Sequence, residues 1–419
     1  MKGWMPLRAN RDFRLLWIGQ SLSSLGGQMS AVAFPLLVLA TTGSPAKAGL
    51  VALAGNAPFV LLQLPAGAYV DRWNRRAVML GADIGRAIAL GSIAVAITLN
   101  GLTFVHTMAV ATVEGSLFVM FRLAEGAALR QVVPNETQLG DAIALNQARS
   151  YGTSLAGQPL GGLLYGVKAL LPFAADAVSY LASLATIAAI RTPLQAPPRT
   201  AKRHLCREIR EGLSTAWRNR FLRATTLLTT GSDFVINGLF LILIVIATQH
   251  GSSATEVGIM LALGGAGGML GALAAPALTR RIRSMRLVVA GAVWFGVPLV
   301  ALAATTANPI LLGLLLGLIL SAWPLYNAVV VSRWMQQVPD ALMGRVQAAV
   351  ALIGWAPVPL SPLLAGLLVE WVGTTWTVLT FATIMLTIAI AATLNQTVRT
   401  EQSQHSETQT RPQGDPIAS

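Results

Sequence analysis

The sequence predicts an all-α membrane protein with twelve transmembrane helices in two six-helix, pseudo-symmetric bundles. Three observations predict it. Hydrophobic residues make up 54% of the 419 residues and charged residues 11%, whereas a soluble domain carries about 25% charged residues. The apolar residues gather in runs of the roughly 20-residue length that a helix needs to cross a bilayer. The basic residues fall in short clusters between those runs, where the positive-inside bias of membrane proteins places them.

Taken in order, the first six runs lie near 15–41, 48–70, 77–99, 104–125, 147–168 and 171–190. The second six lie near 222–248, 256–279, 287–306, 309–331, 346–369 and 374–394. Some contain Pro or Gly, which a bundle tolerates when neighbours satisfy the freed backbone groups. Arg8, Arg11 and Arg14 precede an apolar stretch too long for the core of a signal peptide, so the first span is expected to stay as a signal-anchor.

The chain divides into an N-terminal bundle (1–190), a basic cytoplasmic linker (191–221), a C-terminal bundle (222–395) and a tail (396–419). Glu208, Arg210 and Glu211 give part of the linker the character of a surface helix. The tail is rich in Gln, Ser, Thr and Pro and is expected to be disordered. Each half has an Arg-rich loop between its second and third spans, at 72–76 and 280–286. Two such halves are the pattern of an internal repeat, and in secondary transporters the halves rock around a site near the bilayer midplane.

Charge placement gives the orientation. With both termini in the cytoplasm, the inner loops hold Arg72, Arg75, Arg76, Arg130, the linker cluster, Arg280, Arg281, Arg283, Arg286, Arg333 and Arg345. The outer side then holds Lys47 and Lys168. An odd number of spans would scramble this alternation. The net charge of +13 therefore reads as loop anchoring; with no basic patch interleaved with aromatics on one domain, nucleic acid is not an expected partner.

Other chemistries find no footing. The single cysteine, Cys206, allows neither an intramolecular disulfide nor a cysteine metal site. His106, His204, His250 and His405 all lie outside span centres and form no paired metal or triad pattern, so neither an enzyme nor a metal site is expected. The run Gly264-Gly265-Ala266-Gly267-Gly268 lies inside an apolar helix with no strand before it. Small residues four apart there serve close helix packing rather than phosphate binding. No Gly-Lys-Ser/Thr run accompanies it, so an ATP-driven pump on this chain alone is not expected, nor is a cofactor.

The loop after the second span reads Gly67-Ala68-Tyr69-Val70-Asp71-Arg72-Trp73-Asn74-Arg75-Arg76. It resembles the cytoplasmic signature of the major facilitator superfamily. Gly67 allows close helix approach, Asp71 can cap or pair with a neighbouring helix end, and the arginines can latch onto acids or helix C-termini of the same half. Such a latch would close the cytoplasmic side and favour the outward-open state. Asn10-Arg11-Asp12-Phe13-Arg14-Leu15-Leu16-Trp17 is similar to the entry of the first helix in a narrower branch, the macrolide-efflux-like and siderophore-exporter-like members. Asp83 and Arg86, Val133-Pro134-Asn135-Glu136, Asp176-Ala177-Val178-Ser179-Tyr180 and Gly344-Arg345-Val346 fit the same branch. In the fifth span, Gly157-Gln158-Pro159-Leu160-Gly161-Gly162 is similar to the antiporter signature of exporters. It departs from that signature: Gln158 stands where proline is expected and Pro159 comes one place late. The resemblance covers about residues 10 to 395. It implies the major facilitator fold and a drug:proton antiporter.

Charges inside a bilayer are costly and mark function. Glu114 lies near the middle of the fourth span and Asp233 midway along the seventh, with Asn237 one turn on. These are the candidates for proton coupling or for holding a cationic substrate. Arg122 and Glu125 have the spacing of a local ion pair, as do Asp83 and Arg86, which are expected to join the cytoplasmic latch. Asp176 lies near the outer end of the sixth span, where packing or capping competes with substrate contact. Ser21, Ser24 and Gln28 share a face of the first span, and Asn56 and Gln63 lie in the second. Trp323 and Asn327, with Tyr326 beside them, share a face of the tenth and could line an amphiphilic pocket.

The expectation is thus a proton-coupled exporter of an amphipathic small molecule, such as an antibiotic. A siderophore or other metabolite exporter of the same fold is the alternative. The expected setting is a bacterial cell membrane, with the chain working as a monomer.

Overall fold

A computed structural model describes residues 7–133, 135–195, 211, 213–215, 217–281, 308–338 and 340–394. Every secondary-structure element among these residues is a helix. The first half consists of α1 (Arg11–Thr42), α2 (Pro45–Arg72), α3 (Arg75–Thr98), α4 (Phe104–Val132), α5 (Glu136–Val167) and α6 (Leu171–Ala188). The second half has α7 (Arg220–Gln249), α8 (Ala254–Arg281), α9 (Pro309–Gln337), α10 (Asp340–Trp355) and α11 (Leu360–Leu394). The ninth expected span (287–306), most of the 191–221 linker and the tail lie outside the described residues.

Local chemistry sets the helix ends. Asn10, Ser44, Asn74, Thr103 and Asn219 each cap a helix N-terminus with a side-chain oxygen, as these residue types do where the first N–H groups lack partners. Gly43 ends α1 in the left-handed conformation.

Eight described segments are long and apolar enough to cross a membrane. Pro309–Pro324 is a shorter apolar stretch, and α5 is too polar to join either group. One span differs from expectation, and one helix is divided where the sequence placed the boundary between the eleventh and twelfth spans. The eleventh, expected to run through 346–369, breaks between α10 and α11 at Ala356–Pro359, where Pro357 and Pro359 withhold backbone donors. The helix assigned as α11 turns at Gly373 (φ 82°, ψ 170°), which divides it into two arms.

The two faces of the bundle differ. The terminal face carries the start of α1, the α2–α3 loop and the end of α6; the opposite face carries Gly43–Pro45, the α3–α4 turn and the α7–α8 turn. Toward the opposite face the halves share one apolar core, built from α1, α2 and α4 residues such as Val32, Val51 and Ala111 together with Val235, Leu239, Ala365 and Phe381. On the terminal face the core of the first half, around Phe13, Met79, Phe121 and Leu129, contains among the described residues only those of that half. The halves meet where α2 packs on α11 and α5 on α8. There Gly49 lies against Pro362 and Leu363, Gly366 against Pro45 and Ala46, and Gly162 against Ala254 and Gly258. Glu370 tightens the seam by accepting from the Ser44 hydroxyl and from the Ala46 N–H at 3.1 Å. Among the described residues the halves therefore meet toward the opposite face, and no second-half residue joins the first-half core on the terminal face.

Candidate functional site

A cavity of about 460 Å³ lies between the halves, below the closed face. Its apolar wall includes Val32, Phe34, Val51, Phe240, Leu241 and Ile244. Uncharged polar groups come from Gln28, Asn56, Gln158 and Asn237. Among the described residues, Glu114 is the one ionisable residue in its lining. Size and lining match the usual small-molecule site, mostly apolar with a few placed polar groups.

Helix register brings the charged residues to one depth. Arg86 sits twelve residues before the end of α3, and Glu114 ten residues after the start of α4. The two helices run antiparallel around a short turn, so both residues lie about 15–18 Å from that turn at 1.5 Å per residue. Gly115 approaches the backbone of Gly55 so closely that a side chain would not fit, which draws α4 onto α2 beside Glu114.

Behind the cavity wall the charged groups form one cluster. The Arg86 guanidinium donates to Glu114 Oε1 through Nε at 3.2 Å and through Nη2 at 2.5 Å. The Tyr180 hydroxyl donates to the same oxygen at 3.3 Å and lies 3.5 Å from Asp176 Oδ2. The guanidinium also stacks on the Tyr180 ring, 4.0 Å from its centroid, with Phe118 on its other flank at 5.3 Å. Asp176 accepts from the Ser179 hydroxyl at 3.2 Å and packs where Gly26 lets α1 and α6 touch. Asp176 and Tyr180 are fully buried.

Other expected residues fall elsewhere. Asp83 forms no ion pair with Arg86 among the described residues; its buried carboxylate lies beside Ser183. Arg122 does not bond Glu125: its guanidinium lies over the Phe59 ring, and Glu125 pairs with Arg149 at 3.2 Å. In the second half, Asn237 reaches the cavity and donates to the Asp233 carbonyl at 2.8 Å. Asp233 has no ion pair among the described residues and lies one turn away from the cavity-lining Asn237. Trp323 and Tyr326 stack at 5.8 Å, with the Tyr326 hydroxyl bonded to Thr229 and to the Thr225 carbonyl. Trp323, Tyr326 and Asn327 are outside the cavity lining.

The 67–76 loop works within its own half. Arg75 donates to the Leu194 carbonyl at 3.2 Å, and Arg76 to the carbonyls of Ile190 and Thr192, just beyond the end of α6. No described residue lies within 4 Å of the position that a Gly67 Cβ would take. The Asp71 side chain is outside the described set. Asp12, to which the sequence assigned no role, receives the Thr192 N–H at 2.8 Å and its hydroxyl at 2.6 Å. It ties the start of α1 to the end of α6. In the fifth span, Gly157 packs on Gln28 and Gly161 on Met29, while Gln158 donates to Gln28 at 3.5 Å and to Ser154 at 3.2 Å. The residue that breaks the signature pattern therefore faces the cavity. Gly162 and Pro159 serve the inter-half seam against Gly258.

The family described as transmembrane secretion effector matches residues 1–418. The chain belongs to that family, within the major facilitator superfamily. Its members are membrane transporters, not enzymes. Among similar proteins, the multidrug efflux pump Tap of Mycolicibacterium fortuitum is 27% identical over 88% of this chain and 91% of its own length. Macrolide efflux protein A of Streptococcus pyogenes is 23% identical over 92% of this chain and 96% of its own. The fold matches the nucleoside transporter NupG with a TM-score of 0.73 at 13% identity, over 91% of this chain and 98% of that one. It also matches a bacterial homolog of the human lysosomal transporter Spinster, with a TM-score of 0.70 at 15% identity, over 93% and 96% of the two chains.

Proposed function

We propose that the protein is a proton-coupled secondary transporter that exports an amphipathic small molecule, an antibiotic or related metabolite, across a bacterial cell membrane. One observation carries this reading: a drug-sized cavity between two halves in which Glu114, held from behind by Arg86, is the single ionisable residue among the described lining. An apolar body fits the wall, and a polar or charged end meets Glu114. The printed names of the relatives, a multidrug pump and a macrolide efflux protein, support export of such molecules.

With the arginine-rich terminal face inside the cell, the closed opposite face is the outer one. The cavity then loads from the cytoplasm, which suits an exporter. An anionic siderophore would bring like charge to Glu114, so an amphiphile that is neutral or cationic is favoured.

The reading predicts that cells expressing the protein accumulate less of a cationic dye such as ethidium than control cells. Adding a proton uncoupler should erase the difference. An unchanged difference after uncoupling would remove proton coupling from the proposal. Glu114→Gln is expected to abolish export; if both Glu114→Gln and Asp233→Asn retain it in full, the coupling residues lie elsewhere.

A further inference from the structure

We infer that Arg86, Glu114, Tyr180 and Asp176 form an exchange site, where an organic cation arriving at Glu114 displaces one proton held between Glu114 and Asp176. The inference rests on the reading of the chain as a proton-coupled exporter and assigns both the substrate's charge and the place of the proton.

Geometry supplies the first argument. The bonds from Arg86 Nε, Arg86 Nη2 and the Tyr180 hydroxyl all end on Glu114 Oε1. Oε2 receives no hydrogen bond from any described residue, and the Glu114 side chain keeps 23% of its surface exposed, in the wall of the cavity. One oxygen is thus committed to the cluster and the other is open to a ligand. The described lining residues include no other charge, so a cation meets one charged partner among them.

Charge supplies the second argument. An arginine stays protonated in proteins. Two ionised carboxylates against one guanidinium would leave an uncompensated negative charge in a medium that solvates it poorly. With no substrate present, the cluster is neutral when the two carboxyl groups share one proton, as interacting acids do. A bound cation changes the sum. Two positive charges now face two carboxyls, and neutrality is reached when the proton leaves.

The path is short. Asp176 is fully buried, and the Tyr180 hydroxyl bridges it to Glu114. Asp176 passes its proton to the Tyr180 oxygen, Tyr180 passes its own to Glu114, and Glu114 releases it to water in the cavity. Tyr180 ends unchanged. Asp176 is left as the carboxylate that neutralises Arg86, and Glu114 as the carboxylate that neutralises the cation. Asp83, on α3, is the other acid close to Arg86; it does not line the cavity, and Tyr180 does not bridge to it.

The test uses the full chain, purified in detergent, with tetraphenylphosphonium as the probe cation. Binding is followed by isothermal titration, and proton release by a pH-indicator dye in weakly buffered solution. The wild type is expected to release about one proton per cation bound. Asp176→Asn should still bind the cation and lose the release. Tyr180→Phe should bind and release with a delay, which guards against a folding defect at Asp176. Glu114→Gln should weaken binding about tenfold or more, the loss of one charged contact. Full release from Asp176→Asn, or loss of release in Asp83→Asn instead, overturns the assignment while leaving proton-coupled export standing. Cation binding to the wild type with no release overturns both.

Discussion

Arg86 is gripped on its edge by Glu114 and on its face by Tyr180. Replacing it removes the one positive charge of the cluster. Arg86→Met should lower stability by about 3 kcal/mol, the low end for a broken buried ion pair because Glu114 is partly exposed. Adding Glu114→Gln should restore much of that loss, since no unpaired charge then remains; thermal unfolding of the detergent-solubilised single and double variants measures both. Equal losses in the single and the double variant would mean that Arg86 acts by packing on Tyr180 rather than by charge. The sequence made Glu114 conspicuous as an acid in an apolar run, but not its partner. Spacing along one helix offered Asp83 to Arg86 and Arg122 to Glu125, whereas the partners used are Glu114 and Arg149, on neighbouring helices. That choice depends on the register of α3 against α4 and of α4 against α5, which a single helix does not encode. Tyr180 and Asp176 stood in a recognised segment, yet the bridge they make exists only once α6 packs beside α3.

The seam between the halves is built by elements rather than by single contacts. α5 and α8 approach backbone to backbone at Gly162 and Gly258, so Gly162→Leu should hold the opposite face apart. Spin labels at Thr42 and Trp371, in a variant lacking Cys206, are expected to report a longer distance than in the otherwise native chain, and dye export should fall with it. An unchanged distance would show that the α5–α8 contact does not govern closure. Gly373 makes the sharp turn between the two arms of α11 with φ 82° and ψ 170°, a region that only glycine adopts at ease. Gly373→Ala should therefore cost about 1–3 kcal/mol, read as a lower thermal midpoint. Apolar length and cap chemistry made most of these helices legible beforehand. The break before α11 was not, because a run scored for apolar character treats Pro357 and Pro359 as part of a span, although their missing N–H groups end the helix.

At the scale of the whole molecule, charge separates the two faces as the sequence pattern predicts. Among described residues the terminal face carries Arg11, Arg14, Arg72, Arg75, Arg76, Arg130, Arg191, Arg220 and Arg223, while Lys47 and Lys168 stand at the other end. Several of these arginines also hold the fold, since Arg11, Arg75 and Arg76 bond carbonyls at or beyond the end of α6. Anchoring and structure therefore use the same side chains, and the bias cannot be erased without loosening the first half. An orientation test should leave them in place. Cys206 is the single cysteine and falls in the polar stretch between the halves. If the arginine-rich face is cytoplasmic, a membrane-impermeant maleimide should label Cys206 in inside-out vesicles and not in intact spheroplasts. Labelling from outside would reverse the orientation, make the closed face the inner one, and turn a cavity loaded from the cytoplasm into one loaded from outside. Export would then need the opposite sequence of states, so this one measurement decides which half of the transport cycle the structure represents.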